Sequence, residues 1–401
     1  VSGRFDGDRA LWFTLILGLL TAVGPLTVDL YLPAFPAVAA ELHATEGQIQ
    51  ITLAGTTVGL AVGQLLVGAL SDRIGRLPPL LVGIGIHVGS CVLAAAAPTV
   101  EILTIARIVM GAAAAASGVM ALAMVRDRFT GMRMVRMIAT LGAINGFAPI
   151  AAPVIGSQLL LATDWRGIFV FLGVYAVLVG MLVLIALRET LPLERRARRP
   201  GALRASLGVL AHDRIFLGLL AVGGAVWGSE FAYLASSPFV FQGGFGFSAV
   251  QYGILFAVNA AGYVAGTQVG ARLAPRVPPQ WTLTVALAVM AGAAAAVAVL
   301  TLAAAGAVAI AIPIWFSVAA VGACVPSVQV LALAPHGERT GLAASLVGAS
   351  SFGIAGAVTL VPGLFVDVQL GMAITMATSS AVGLAAMLIV VRPRRVPPLV
   401  R

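Results

Sequence analysis

The sequence predicts an all-α membrane protein of twelve transmembrane helices in two pseudo-symmetric six-helix halves. Composition is the first reason. Of 401 residues, 60% are hydrophobic and 10% charged, with a mean hydropathy of +1.04, whereas soluble domains carry about 25% charged residues. Run length is the second. Stretches such as Leu283–Leu302 and Met372–Val391 hold no charge over a length that crosses a bilayer. The third is the placement of arginine between those runs.

Apolar runs and their polar breaks place the spans near 11–36, 47–70, 79–97, 102–125, 135–160 and 167–187, then 215–240, 249–271, 282–303, 307–331, 341–365 and 371–391. The first run is too long for a cleavable signal peptide and leads straight into further spans, so it reads as retained. The short alternating segments of a β-barrel are absent. All 24 basic residues are arginines. With the N-terminus inside, 22 of the 24 fall on inner segments, leaving Arg107 within a span and Arg166 outside. The positive-inside rule therefore places both termini in the cytoplasm of a cell-membrane protein. The net charge of +9 is topological and calls for no nucleic-acid partner. The run Arg195–Arg204 has anionic lipid headgroups within reach. Cys91 and Cys324 fall inside spans and read as packing residues, with no disulfide and no metal site expected.

The longest connection, Arg188–Arg214, holds seven arginines against three acids and divides the chain into residues 1–190, a linker 191–214 and residues 215–401. Thr45-Glu46-Gly47-Gln48 and Ser248-Ala249-Val250-Gln251 are capping-box patterns that would start spans 2 and 8. Gly68 follows the first by 23 residues and Gly270 follows the second by 22. Matched offsets support an internal repeat, and two repeated six-helix halves are a transporter architecture with its site at their interface.

Span 1 carries Thr27-Val28-Asp29-Leu30-Tyr31-Leu32-Pro33-Ala34-Phe35-Pro36. Asp29 sits about eighteen residues into the apolar run, past the middle of a core ~30 Å thick. A carboxylate there costs at least ~3 kcal/mol, so it faces a wet cavity or bundle interior, or else is a satisfied polar contact at the outer interface. Pro33 and Pro36 end or kink the helix. Between spans 2 and 3, Gly68 permits close helix approach, Gly75 a tight turn, and Asp72 neighbours two cations, Arg73 and Arg76. Asp127, in Arg126-Asp127-Arg128, is a partner for Arg76; the plain alternative is a solvated basic loop.

Arg107, in span 4, matches Asp29 in depth because the two spans run in opposite directions. A buried guanidinium needs a partner, and an Arg107–Asp29 pair, direct or through water, is expected; the alternative is an arginine snorkelling outward. Span 5 contains Gly146, Pro149, Pro153 and Gly156, small and bending residues suited to close packing. Glu230 lies mid-span in helix 7 as an extra proton site, a contact for a cationic substrate or a hydrogen-bonded structural group. His87 reads as a packed or hydrogen-bonded histidine. Tyr31, Trp227, Phe231, Tyr233, Asn259, Trp315 and Gln329 suit a mostly apolar cavity with a few polar groups, and suit helix packing nearly as well.

Gly68-Ala69-Leu70-Ser71-Asp72-Arg73-Ile74-Gly75-Arg76 resembles the G-x-L-a-D-R-x-G-R loop motif of the major facilitator superfamily. That resemblance implies that Asp72 caps a helix of the other half, by position the N-terminus of span 11, and braces an inner gate. Ala152-Pro153-Val154-Ile155-Gly156-Ser157 is similar to the closing G-P-x-x-G-G of the antiporter motif in span 5, with two departures. Together with Asp164-Trp165-Arg166-Gly167, Arg188-Glu189-Thr190-Leu191 and Ala232-Tyr233-Leu234-Ala235-Ser236-Ser237-Pro238, these segments resemble the bicyclomycin-resistance branch of drug:proton antiporters. Implied are a small-molecule drug substrate, protons as the coupling ion, the lipid bilayer as surroundings, a monomer and no cofactor. The rival expectations are a superfamily carrier of an endogenous metabolite and, more remotely, a polytopic enzyme or receptor. The latter would need a catalytic cluster or soluble domain that the chain does not display.

Overall fold

Five of the crossing helices begin at a side chain that takes up unpaired N–H groups of the first turn. The structure is a computed structural model describing residues 7–192, 194 and 201–396. Thr45 and Ser248 both form the capping boxes their sequences predict, with the Thr45 and Ser248 N–H groups donating to Gln48 and Gln251 Oε1, each at 2.8 Å. Asp164, Asp213 and Asp367 cap three further helices.

Among the described residues, twelve helical segments are long and apolar enough to cross a membrane. The first half comprises α1 (Gly7–Asp29), α2 (Phe35–Glu41), α3 (Glu46–Ile74), α4 (Leu77–Ala95), α5 (Val100–Arg128), α6 (Gly131–Ala162) and α7 (Trp165–Ala186). Then come α8 (Gly201–His212), short and outside the spans, and α9 (Arg214–Pro238), α10 (Ala249–Leu273), α11 (Pro279–Leu302), α12 (Ala307–Leu333), α13 (Thr340–Thr359) and α14 (Val368–Ala385). The first span is longer than expected, Trp12–Glu41: the prolines interrupt it with a 3-10 turn at Leu32–Ala34, and α2 then resumes the helix. Arg4, Arg195, Arg196, Arg198, Arg199 and Arg401 lie outside the described residues.

The repeat is visible in packing. In α3, Gly55, Gly59 and Gly63 face α5; in α10, Gly262, Gly266 and Gly270 face α12. A methyl at Gly59 would overlap the Ile108 carbonyl, and one at Gly266 the Ala319 carbonyl. Gly111 on α5 and Gly322 on α12 abut the backbones of Thr56 and Tyr263 in return. Four-residue glycine spacing brings helix backbones together where lipid supplies no hydrophobic drive. This corrects the register expected from the caps. Gly270 is the counterpart of Gly63, whereas Gly68 meets the other half, a β-carbon there lying 3.4 Å from Ser345 Oγ.

The halves touch along two seams. Along α3, Gly356 of α13 stands against Ala54 and Thr57 and Gly348 against Gln64, and Gly363, in the 3-10 turn Pro362–Leu364 after α13, stands against Gly47. Along α6 and α10, Gly253 packs on Pro153 and Ser157. At the end remote from the termini, Gln50 Nε2 donates to Ser236 Oγ (3.3 Å), Gln242 Nε2 donates to the Pro33 carbonyl (3.1 Å), and the Phe35 and Phe239 rings meet at 5.7 Å. That end of the interface is shut.

Candidate functional site

The site is built around the break in the first span. Because α1 ends at Asp29, its last carbonyls lack intrahelical donors and carry the negative end of the helix dipole. Arg107, fully buried on α5, fills that vacancy: its Nη1 donates to the Thr27 carbonyl at 2.6 Å. Its guanidinium carbon lies 4.8 Å from the Tyr31 ring centre and 5.9 Å from that of Phe169. Nε and Nη2 of Arg107, and the Tyr31 hydroxyl, are buried without a hydrogen-bond partner.

Of the expected Arg107–Asp29 pairing, direct or through water, no direct ion pair is formed. Competition from the free Thr27 carbonyl and the Tyr31 ring holds the guanidinium two residues short of the acid. Asp29 is 4% exposed, and its carboxylate makes no hydrogen bond or ion pair with a described residue. It lies within electrostatic range of Glu230 and Arg107. Thus α1, α5 and α9 bring two acids and one base together where the halves meet. Gly156 of the span-5 motif packs against the carbonyl of Leu30, the residue after Asp29, leaving no room for a side chain. Pro149 and Pro153 lie inside α6, and a β-carbon on Gly146 would stand 4.0 Å from Val264.

The other cavity candidates separate into groups. Tyr233 is buried, accepting from Asn259 Nδ2 at 2.8 Å and stacking on Phe256. Trp227, half-buried, and Phe231 form a ring cluster with Phe352 of α13. Trp315 serves the α10–α12 seam, packing on Gly262 and donating to the Val258 carbonyl at 3.1 Å. Gln329 is exposed on α12. His87 is buried with Nδ1 3.3 Å from the Met110 carbonyl, as its sequence context suggests.

A second charge cluster occupies the end bearing the termini. Arg76 binds Asp72 (2.6 Å), Asp127 (2.9 Å) and Ser71 Oγ (2.9 Å). Burial lowers the Arg76 pKa, but its bonds to Asp127 and Asp72 outweigh that and hold it above the ordinary value. Asp72 is thus engaged within its own half, while the side chains of Glu338–Thr340, at the start of the eleventh span, lie outside the described ones. Arg73 is exposed, and Gly75 takes a φ of +104° at the helix end, a conformation suited to glycine.

Sequence reasoning noted Glu189 only as part of the segment Arg188-Glu189-Thr190-Leu191 and gave it no role. Pro78 and Pro79 have no N–H, so the first turn of α4 offers the amides of Arg76 and Leu77. Glu189 accepts both, at 2.9 and 3.1 Å, and its own carboxylate folds back on the Thr190 and Leu191 N–H groups. Burial pushes its pKa up, and these four donors outweigh that to hold it below the ordinary glutamate range. An acid just after span 6, in a chain whose span 3 opens on two prolines, was the available signal.

The sequence profile of the Major Facilitator Superfamily matches residues 17–360. The chain belongs to the major facilitator superfamily. This facilitator is 33% identical over 347 residues to YdgK of Bacillus subtilis, an uncharacterised transporter of the superfamily, covering 85% of this chain and 86% of that one. It is 27% identical to the bicyclomycin resistance protein homolog of Haemophilus influenzae, over 93% and 94% of the two chains. It is 29% identical to the multidrug resistance protein MdtL of Salmonella heidelberg, over 62% of each. Among solved structures, a D-xylose-proton symporter matches with a TM-score of 0.80 at 15% identity, covering 98% of this facilitator and all of that chain. A partially occluded inward-open form of the Escherichia coli xylose transporter XylE gives 0.76 at 14% identity, over 98% and 99%. At those identities the likeness is one of fold. The facilitator is a multi-pass membrane transporter of small molecules and not an enzyme.

Proposed function

We propose that this facilitator exports small amphipathic drugs across the cell membrane in exchange for protons, as a monomer with both termini in the cytoplasm. The relatives named for bicyclomycin and multidrug resistance support the substrate class. One observation carries the coupling: the Asp29 carboxylate is buried at the meeting of the halves with no hydrogen-bond or ion-pair partner among the described residues, within electrostatic range of Arg107 and Glu230. A charged group left unpaired at such depth marks an ion or substrate pathway.

The lever is short. Asp29 lies four residues before Pro33, whose carbonyl holds Gln242 of the opposite half, and six before Phe35, which meets Phe239. A proton reaching Asp29 from outside cancels its attraction to Arg107 and its repulsion of Glu230 together. The α1 break then repacks, and the closed outer contacts exchange for inner ones. Residues 1–190 and 215–401 rock about the interface, with 191–214 as the connection and the Asp72–Arg76–Asp127 cluster bracing the inner end.

Asp29→Asn tests this reading in energised membrane vesicles. Drug accumulation driven by an imposed pH gradient is expected to vanish while insertion and melting temperature hold. An Asn variant that still pumps against a gradient overturns the assignment. A counterflow panel mixing drugs with endogenous solutes separates drug export from metabolite carriage.

A further inference from the structure

The Glu230 carboxylate has no hydrogen-bond partner among the described residues, and an aromatic cluster begins one turn before it on α9. Trp227 precedes it by three residues, nearly one helical turn, so both side chains leave α9 on one face. Phe352 reaches the same place from α13. The ring centres of Trp227, Phe231 and Phe352 are 6.0, 5.7 and 6.2 Å apart in the three pairings, and Trp227 and Phe352 are only half-buried. Aromatic faces beside a carboxylate attract a desolvated organic cation through the ring quadrupole and the charge together.

The charge balance points the same way. Within electrostatic range of Glu230 are Asp29 from α1, Tyr233 on its own helix and Tyr263 from α10, while Arg107, in range of Asp29, is bound to the Thr27 carbonyl. Fully ionised, Asp29, Glu230 and Arg107 sum to one negative charge. One positive charge brings the group to neutrality, and a proton or a monovalent organic cation supplies it equally well. We propose that Glu230 and the Trp227–Phe231–Phe352 rings form the subsite for the charged end of a lipophilic monovalent cation. This deepens the export reading and rests on it for direction of transport, though not for binding.

The test is equilibrium binding of radiolabelled tetraphenylphosphonium to the purified full chain in detergent, with no gradient applied. Wild-type protein is expected to bind it, Glu230→Asp to retain binding, and Glu230→Gln to weaken it about tenfold or more. Trp227→Leu removes one ring face and is expected to weaken binding about fivefold. In cells, the ratio of tetraphenylphosphonium resistance to resistance against a neutral phenicol should fall by a similar factor in both variants. No binding by wild-type protein, equal binding by folded Glu230→Gln, or an unchanged cation-to-neutral ratio overturns the proposal. Cation binding in detergent together with an Asp29→Asn chain that still pumps would sink the coupling assignment alone and leave this subsite standing.

Discussion

Arg76 and Arg107 are both buried arginines of the first half, and the structure treats them in opposite ways. Arg76 has two carboxylates and a hydroxyl on its guanidinium, and its own N–H is held by Glu189. Arg107 has one neutral carbonyl at hydrogen-bond distance, a neighbouring Met110 sulfur, two aromatic rings and two nitrogens with no acceptor. A paired, hydrogen-bonded charge ties helices into one arrangement. An underpaired charge of the same chemistry holds its surroundings near a change, because several partners lie within reach and none satisfies it. The contrast assigns bracing to one end of the bundle and switching to its middle.

The largest test exchanges each arginine for a hydrophobe of similar length. Arg107→Met is expected to reduce transport about 100-fold or more while the melting temperature holds or rises, since replacing a poorly paired buried charge by apolar volume is often neutral or stabilising. Arg76→Met should do the reverse to stability. It strands the mostly buried Asp127 while leaving Asp72 to solvent, costs about 3 kcal/mol, and lowers transport only as far as it lowers folded protein. Thermal melts in detergent beside counterflow rates separate the two. Equal melting losses would break the contrast.

Glu189 sharpens the bracing side through pH. Its folded pKa is held below the ordinary glutamate value of about 4.3. A depressed carboxyl contributes stability above its unfolded pKa and loses it as pH falls through the folded one. Wild-type melting temperature should therefore decline as the solution is acidified below about pH 4 to 5. Glu189→Gln keeps one acceptor oxygen, is expected to cost about 1 kcal/mol at neutral pH, and should show a shallower acid decline. A variant with the wild-type acid slope would show that other carboxyls carry it.

The contrast also marks what the sequence could disclose. Span positions, both capping boxes and the Arg76–Asp127 pair were legible because they depend on local periodicity or on a short loop's charges. The partner of Arg107 was not. Depth along antiparallel spans puts Arg107 level with Asp29, but which acceptor wins depends on where α1 stops, and Pro33 acts through a 3-10 turn. The repeat was legible in kind and wrong in register. Distance from the caps paired Gly68 with Gly270, whereas backbone contact follows the glycine ladders and pairs Gly63 with Gly270, one turn away. The aromatic company of Glu230 was half visible: Trp227 is a turn away on the same helix, but Phe352 comes from a span more than a hundred residues on.

The smallest effect is the most discriminating about how the brace is wired. Thr190 Oγ1 donates to Asp127 Oδ2 at 3.0 Å, the same oxygen that accepts from Arg76 Nε at 2.9 Å. Thr190→Val removes that donor with little change of shape, and Asp127 keeps its guanidinium. The expected cost is about 1 kcal/mol, read as a small drop in melting temperature with transport per folded molecule unchanged. In an Arg76→Met background the same substitution should cost more, because Thr190 is then the donor left on a stranded carboxylate. A double-mutant cycle measures that difference directly. Strict additivity would mean that Thr190 and Arg76 act on Asp127 independently, and the brace would be two separate contacts rather than one network.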